Sequence, residues 1–311
     1  NKREISTCLS SIAMIYLDMG DLKNAYSFIE KAIKVQDEID DTNSEDIMLL
    51  LYRANVLMEM ESYDEALKDF ETVKTFRETH YHEKHGDLAD LYLDYSLCLC
   101  YSGDFEKAIA YIDKAIDIFL YNDGKNSVRY LRGKNTKALI LTEFHKANAA
   151  CDEYAQIFQI NEISNILSDS DIVTFSTNYV DALIQISDFN KALKINNTAN
   201  EIYTASKSIE HPTIKQNLME NFAEIYSGME DIRAIEYYEQ LHSVCYDKES
   251  SVQIKLSEAE LYIRLNLYDE ANSILVDLID MLENDKELMY YYICCLGYMS
   301  SMSRRFKRIR L

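Results

Sequence analysis

Apolar residues along the chain recur at helical spacing, in blocks that come in pairs. In "DLADLYLDYSLCLCYSGDFEKAIAYIDKAIDIFL", residues 87–120, Tyr92, Tyr95, Ser96 and Leu99 share one helical face. A turn at Ser102-Gly103-Asp104 follows, and then Ala108, Ile112, Ala115 and Phe119 form a second face at i, i+4, i+7 and i+11. The spacing predicts two helices that fold back on each other. A short signature marks the turn: a small residue, an acid, an aromatic or aliphatic residue, and an alanine shortly after. It reads "GDLKNA" to Ala25, "SYDEA" to Ala66, "GDFEKA" to Ala108 and "EFHKA" to Ala147. It continues as "DFNKA" to Ala192, "EDIRA" to Ala234 and "LYDEA" to Ala271, with intervals of 41, 42, 39, 45, 42 and 37 residues. A period near forty is the mark of a repeat array.

Small residues recur where paired helices must cross closely. Ala13, Ala54, Ser96 and Ala259 stand twelve before a signature alanine, and Ala32, Ala115 and Ala199 stand seven after one. In the fourth copy Asn135 takes the small position and no glycine marks the turn, while the sixth copy has its turn about one residue short.

This helix–turn–helix unit, with its small-x-x-Tyr/Leu, Gly-Asp-Tyr/Phe and x-x-Ala elements, resembles the tetratricopeptide repeat over about nine-tenths of the chain, most clearly residues 4–283. The copies are longer than the common unit of about 34 residues and mostly lack its closing proline. In that they resemble the repeats of kinesin light chains and related adaptors, whose His-Pro opening is matched by "EHPTIKQNLMENFAEIY". The resemblance implies an all-α fold: a right-handed α-solenoid with helix A of each unit on the concave side and helix B outside. About seven repeats are expected over 1–285, near 4–38, 45–78, 86–120, 126–159, 170–204, 212–246 and 250–283. Residues 286–311 then read as a partial eighth unit with a basic tail.

Composition supports the helical class: seven glycines and one proline, Pro212, are too few for a turn-rich β architecture. A net charge of −21 argues against nucleic acid as a partner. The exception is "RRFKRIRL" at the C-terminus, which reads as a solvated basic helix end. No apolar run is long enough to span a membrane. Seven cysteines, several in apolar helical runs, suit buried thiols in a reducing compartment, so a cytoplasmic location is expected.

Candidate chemistry is sparse. "HYHEKHGD", residues 80–87, gathers His80, His82 and His85 with Glu78 and Glu83 close by. A zinc site needs three or four converging ligands, and the spacing is not that of a helical HExxH pair. The cluster falls between repeats, where the sixth copy also has a histidine, and it reads as a loop; no metal and no cofactor is expected. Phosphate-cradling glycine loops and nucleophile elbows are absent. His145 and His242 read as packing residues on outer helices, and no enzymatic activity is expected.

The concave face is the remaining candidate. Counted back from each signature alanine, its residues include Asn55 and Met58 in the second copy and Leu93, Leu97 and Tyr101 in the third. Arg129 and Arg132 represent the fourth copy and Thr177 and Asp181 the fifth. Methionine and tyrosine adapt to varied partners, and arginine grips carboxylates or carbonyls. The expected function is a non-catalytic scaffold that binds a peptide or partner helix in this groove. A second reading is the sensor or regulatory segment of a larger signalling or defence protein. A third, a regulator resembling peptide-responsive bacterial phosphatases, is disfavoured because the sequence opens inside a repeat. Residues 286–302, "KELMYYYICCLGYMSSM", read as an unpaired helix A, so association through the C-terminal end is also expected.

Overall fold

The computed structural model describes residues 2–38, 44–160, 163–206, 212–245, 248–283, 285–286 and 288–309. It is all helical, with fifteen α-helices and no strand among the described residues. Two compact units are formed, Asn1–Ile166 and Leu167–Leu311. The first contains the hairpins α1 (Lys2–Asp18) with α2 (Leu22–Asp37), α3 (Ser44–Glu59) with α4 (Tyr63–His80), α5 (Gly86–Tyr101) with α6 (Phe105–Asp123), and α7 (Val128–Glu143) with α8 (Ala147–Phe158). The second contains α9 (Asp169–Gln185) with α10 (Phe189–Ala205), α11 (Pro212–Gly228) with α12 (Ala234–Val244), α13 (Lys248–Arg264) with α14 (Tyr268–Leu282), and a last helix α15 (Met289–Ile309).

One turn geometry joins all seven hairpins. In the third, the Gly103 amide bonds to the Cys100 carbonyl and the Asp104 amide to the Leu99 carbonyl, the paired bonds of a Schellman motif. The donor of the first bond must take positive φ, and Gly20 and Gly103 do so at 74° and 89°. The other five hairpins use Glu61, His145, Ser187, Glu230 and Asn266 there, at φ of 54° to 61°. Side chains in this region cost roughly 1–2 kcal/mol, so closing the hairpin must offset it. Asp21, Asp104 and Asp188 follow directly and accept from the amides of Asn24, Lys107 and Lys191, which starts the second helix.

This turn corrects the register of the fourth copy. Ala25, Ala66, Ala108, Ala192 and Ala271 each stand five residues after the positive-φ residue. Five after His145 is Ala150, which is 0% exposed, and not Ala147. Ala108, Ala150, Ala192 and Ala234 then lie 42 residues apart, and the small residue twelve before Ala150 is the buried Ala138 rather than Asn135. His145 is accordingly a turn residue and not part of an outer helix. In the sixth hairpin Glu230 is four residues before Ala234, which is the short turn expected there.

Packing follows from the small positions. Ala13, Ala54, Ser96, Ala259, Ala32, Ala115 and Ala199 are all 0% exposed, as are Ala108 and Ile112, and Phe119 is 1% exposed. Backbones can approach at these crossings because no side chain intervenes. The first helices of neighbouring hairpins also touch directly, α1 with α3 and α5 with α7 in the first unit, α9 with α11 and α13 with α15 in the second. These first helices therefore form the inner layer of each unit. Between α2, α3 and α4, Arg53 grips Asp69 with two bonds of 2.7 Å and reaches Glu30 at 2.8 Å. The seven cysteines are free thiols; Cys98, Cys100 and Cys295 are buried, Cys8 is exposed, and burial pushes Cys98 and Cys100 up to about 12. No helix among the described residues is long and apolar enough to cross a membrane. Past residue 302 the C-terminal segment continues as helix to Ile309, and α15 leaves Tyr290, Ile293 and Leu296 exposed.

Candidate functional site

The inner layer of the first unit gathers an apolar strip from two helices, α3 and α5. Asn55 and Met58 on α3 and Leu93 and Leu97 on α5 are half-buried, and Tyr101 at the end of α5 is 44% exposed. Met58 and Leu93 rest against the core formed by Tyr95, Leu99 and their neighbours, so one side of each is anchored and the other is open. The Tyr101 ring stacks on Tyr63 with centroids 5.6 Å apart. Its phenol is pushed up to about 12 by burial and by the charges of Glu143 and Glu59. Asp94 stands between Leu93 and Leu97 in sequence. Burial pushes its carboxyl up to about 7, with Asp90 adding to the rise and Arg77 opposing it. The strip is thus apolar and aromatic with carboxylates at its margins.

The predicted arginines divide. The Arg129 guanidinium donates to Asp90 at 2.6 Å and to the Gly86 carbonyl at 3.2 Å, and it lies 4.8 Å from the Phe119 ring centroid. It ties α7 to the start of α5, so most of its fork is already engaged. Arg132 is exposed, and with the corrected register it takes the place eighteen before Ala150 that Met48 holds before Ala66. Thr136, eleven before Ala147 as Leu97 is before Ala108, is buried at 6%.

In the second unit Asp181 is half-buried on the inner layer. Thr177 is 3% exposed, its hydroxyl donates to the Thr174 carbonyl, and its own carbonyl accepts from Asn221 of α11 at 3.2 Å. It belongs to the packed α9–α11 junction. Close approach of those two helices closes over a position that stays half-open, at Leu93, in the first unit.

The histidines have local partners. His80 is the last residue of α4 rather than a loop residue; its ring stacks on Phe76 at 4.1 Å and Nδ1 lies 2.8 Å from the Phe76 carbonyl. His85 caps α5 by accepting from the Asp87 amide and stacks on Tyr81. Lys84 lies 3.8 Å from the Tyr121 ring centroid, and its carbonyl accepts from Asn122, which fastens the loop to α6. Among the described residues no three His, Cys, Asp or Glu side chains are grouped to hold a metal ion.

Antiparallel hairpins of this length, joined by one turn type and stacked through small residues, define a helical-repeat protein. The sequence model of the tetratricopeptide repeat matches residues 45–120 and, in a second form, residues 7–38. The chain is a tetratricopeptide-repeat protein. No curated protein sequence matches it. Among solved structures it is similar to the apo form of the quorum sensor NprR from B. thuringiensis, at TM-score 0.63 and 13% identity, covering 96% of this chain and 88% of that one. It is similar to a tetratricopeptide repeat protein from Parabacteroides merdae, at TM-score 0.58 and 14% identity, covering 94% and 99%. It is also similar to TPR-like repeats of the kinesin light chain kind from Podosopora anserina, at TM-score 0.55 and 11% identity, covering 67% and 99%. At these identities the likeness is one of fold.

Proposed function

We propose that the inner layer of the first unit is a docking groove for a peptide or a helix of a protein partner, and that the protein acts as a non-catalytic scaffold. The observation that carries this is the strip of Met58, Leu93, Leu97 and Tyr101, open to solvent on a layer whose deeper apolar residues are almost fully buried. Apolar surface left in a concave layer gains free energy when a partner covers it, at about 25 cal/mol per Å². The margin of Asp94, Glu59 and Glu143 favours a partner segment with basic residues flanking its apolar anchors. Arg132 and Asn55 supply polar contacts that fix its register. In a calorimetric titration against a captured partner, the double change Asn55→Ala and Arg132→Ala weakens binding while the melting temperature stays within a degree or two. Intact binding in that variant, together with loss on changing outer-helix residues, refutes the groove.

A second reading is supported by the likeness to a quorum sensor over most of the chain: the repeats sense a ligand and a neighbouring segment acts on it. Sequencing the whole gene decides it. An effector domain in the same product supports the sensor, and a product made of repeats alone supports the scaffold.

A further inference from the structure

Between α1, α2 and α3 the first unit holds a second concavity of about 560 Å³. One wall is hydroxylic, from Ser6, Thr7, Ser10 and Ser11 of α1, and the other is apolar, from Met48, Leu49 and Tyr52 of α3 with Met14 and Ile15. Gln36 of α2 also lines it. This side chain is 4% exposed, and neither its amide nitrogen nor its amide oxygen meets a hydrogen-bond partner among the described residues. Counting along α2 explains its position: Ala25, Ile29, Ala32 and Gln36 fall at i, i+4, i+7 and i+11, where the third hairpin has Ala108, Ile112, Ala115 and Phe119. The second hairpin places the buried Arg77 at this point, but Arg77 donates to the Asp87 carbonyl at 2.7 Å. Gln36 is the polar member of the series with nothing to bond. A buried amide in that condition is costly, and its retention on a core face points to a partner from outside.

The lining restricts what that partner is. All four hydroxyls of the α1 wall already donate to main-chain carbonyls: Ser6 to Ala32, Thr7 to Arg3, and both Ser10 and Ser11 to Thr7. They therefore offer lone pairs and accept from an incoming N–H. Gln36 offers one N–H side and one carbonyl side, the complement of another amide. Among the described residues no charged side chain lines the concavity, although the chain carries a net charge of −21. A neutral group with both N–H and C=O, on a short apolar stem, fits this set, whereas an anion or a cation finds no counter-charge.

We infer that this concavity is a carboxamide-reading subsite that takes an Asn or Gln side chain of the docked segment, paired amide to amide with Gln36. It rests on the groove reading, because Ser10 and Met14 stand fifteen and eleven residues before Ala25, as Leu93 and Leu97 do before Ala108, while Thr7 and Met48 stand eighteen before Ala25 and Ala66, as Arg132 does before Ala150. The two can nevertheless fail separately.

The test uses the full chain, labelled with ¹⁵N at glutamine side chains, and titrates it with N-acetyl-asparagine methylamide and with the leucine analogue. Gln36→Leu assigns the Gln36 resonances by their disappearance, and Gln36→Glu assigns them if the first variant does not fold. The expected result is a saturable shift of the Gln36 amide pair with the asparagine compound only. Binding of that compound, followed by the shifts of its own acetyl signal, is expected to be about tenfold weaker in the Gln36 variant, the loss of one paired hydrogen-bonding partner. Ile15→Trp, at a lining position that is 57% exposed, is expected to block the shift without touching the core. An unmoved Gln36 pair, an equal shift with the leucine analogue, or unchanged affinity in the Gln36 variant overturns the inference. A partner that ignores Leu97 and Tyr101 while the Gln36 shift persists overturns the groove and leaves the subsite.

Discussion

Replacing Ala108 by leucine measures how tightly the third hairpin is closed. Ala108 is 0% exposed and sits where α6 crosses α5, with Ser96, also 0% exposed, on the facing helix at the small position. Leucine adds three carbons. Each would gain about 0.8 kcal/mol on burial if space existed. At a crossing held by small residues on both sides there is none, so the helices must separate or rotamers must strain, at about 1–3 kcal/mol net. For a unit of this size that is roughly 2–4 °C of melting temperature per kcal/mol, or about 2–12 °C in all. The control is Lys107→Leu on the neighbouring exposed position, which gives up only a surface pair with Asp104. Urea and thermal melts followed by circular dichroism compare the two. A large drop for Ala108→Leu with no measurable change for Lys107→Leu is expected, and equal effects would show that the crossing is not where this residue lies.

The corrected fourth register makes a parallel claim: Ala150→Leu lowers the melting temperature as Ala108→Leu does, whereas Ala149→Leu, on the exposed side, does not; a silent Ala150→Leu beside a damaging Ala147→Leu restores the uncorrected register. Asp94 supplies a pH dependence. Its folded carboxyl titrates at about 7, above the ordinary unfolded value near 4, so between about pH 4 and 7 the native state holds the extra proton. Stability from this group therefore falls as pH rises through that window, and Asp94→Asn is expected to raise the melting temperature more at pH 8 than at pH 4, with equal gains at both pH values contradicting it. For the histidines, chelator is expected to leave the melting curve and partner binding unchanged, and the triple change of His80, His82 and His85 to serine to be tolerated; loss of either on metal removal establishes a metal site.

Much of this was legible in the sequence because a repeat states its rule many times. Six of the seven signature alanines and the small residues twelve before or seven after them marked the crossings, and the buried faces of α5 and α6 followed from periodicity alone. The fourth copy misled because "EFHKA" imitates the signature while the turn is made by His145, where the first and third copies have glycine. What closes that turn is the pair of main-chain bonds from His145 to Thr142 and from Lys146 to Leu141, and these leave little trace in composition. The half-buried positions of Met58, Leu93 and Leu97 on the first helices were reachable by counting. The employment of Arg129 was not, since its carboxylate partner Asp90 lies 39 residues away. Nor was the burial of Thr177, which depends on how closely α11 approaches α9. Gln36 carried a visible signal, a lone amide on an otherwise apolar helical face, but its lack of a partner is a fact of three-dimensional packing.

The central claim is that a partner binds along the inner layer of the first unit, and Leu97→Asp tests it most directly. A charge placed in the middle of the strip, beside Asp94, makes covering it by an apolar anchor unfavourable, while the half-buried position spares the core. Leu120→Asp, at a 46% exposed position on the outer helix α6, is the matched control. Titrating the captured partner into both variants is expected to show at least about a tenfold loss of affinity for Leu97→Asp, roughly 1.4 kcal/mol, and none for Leu120→Asp. Wild-type affinity in Leu97→Asp with loss in Leu120→Asp would contradict it.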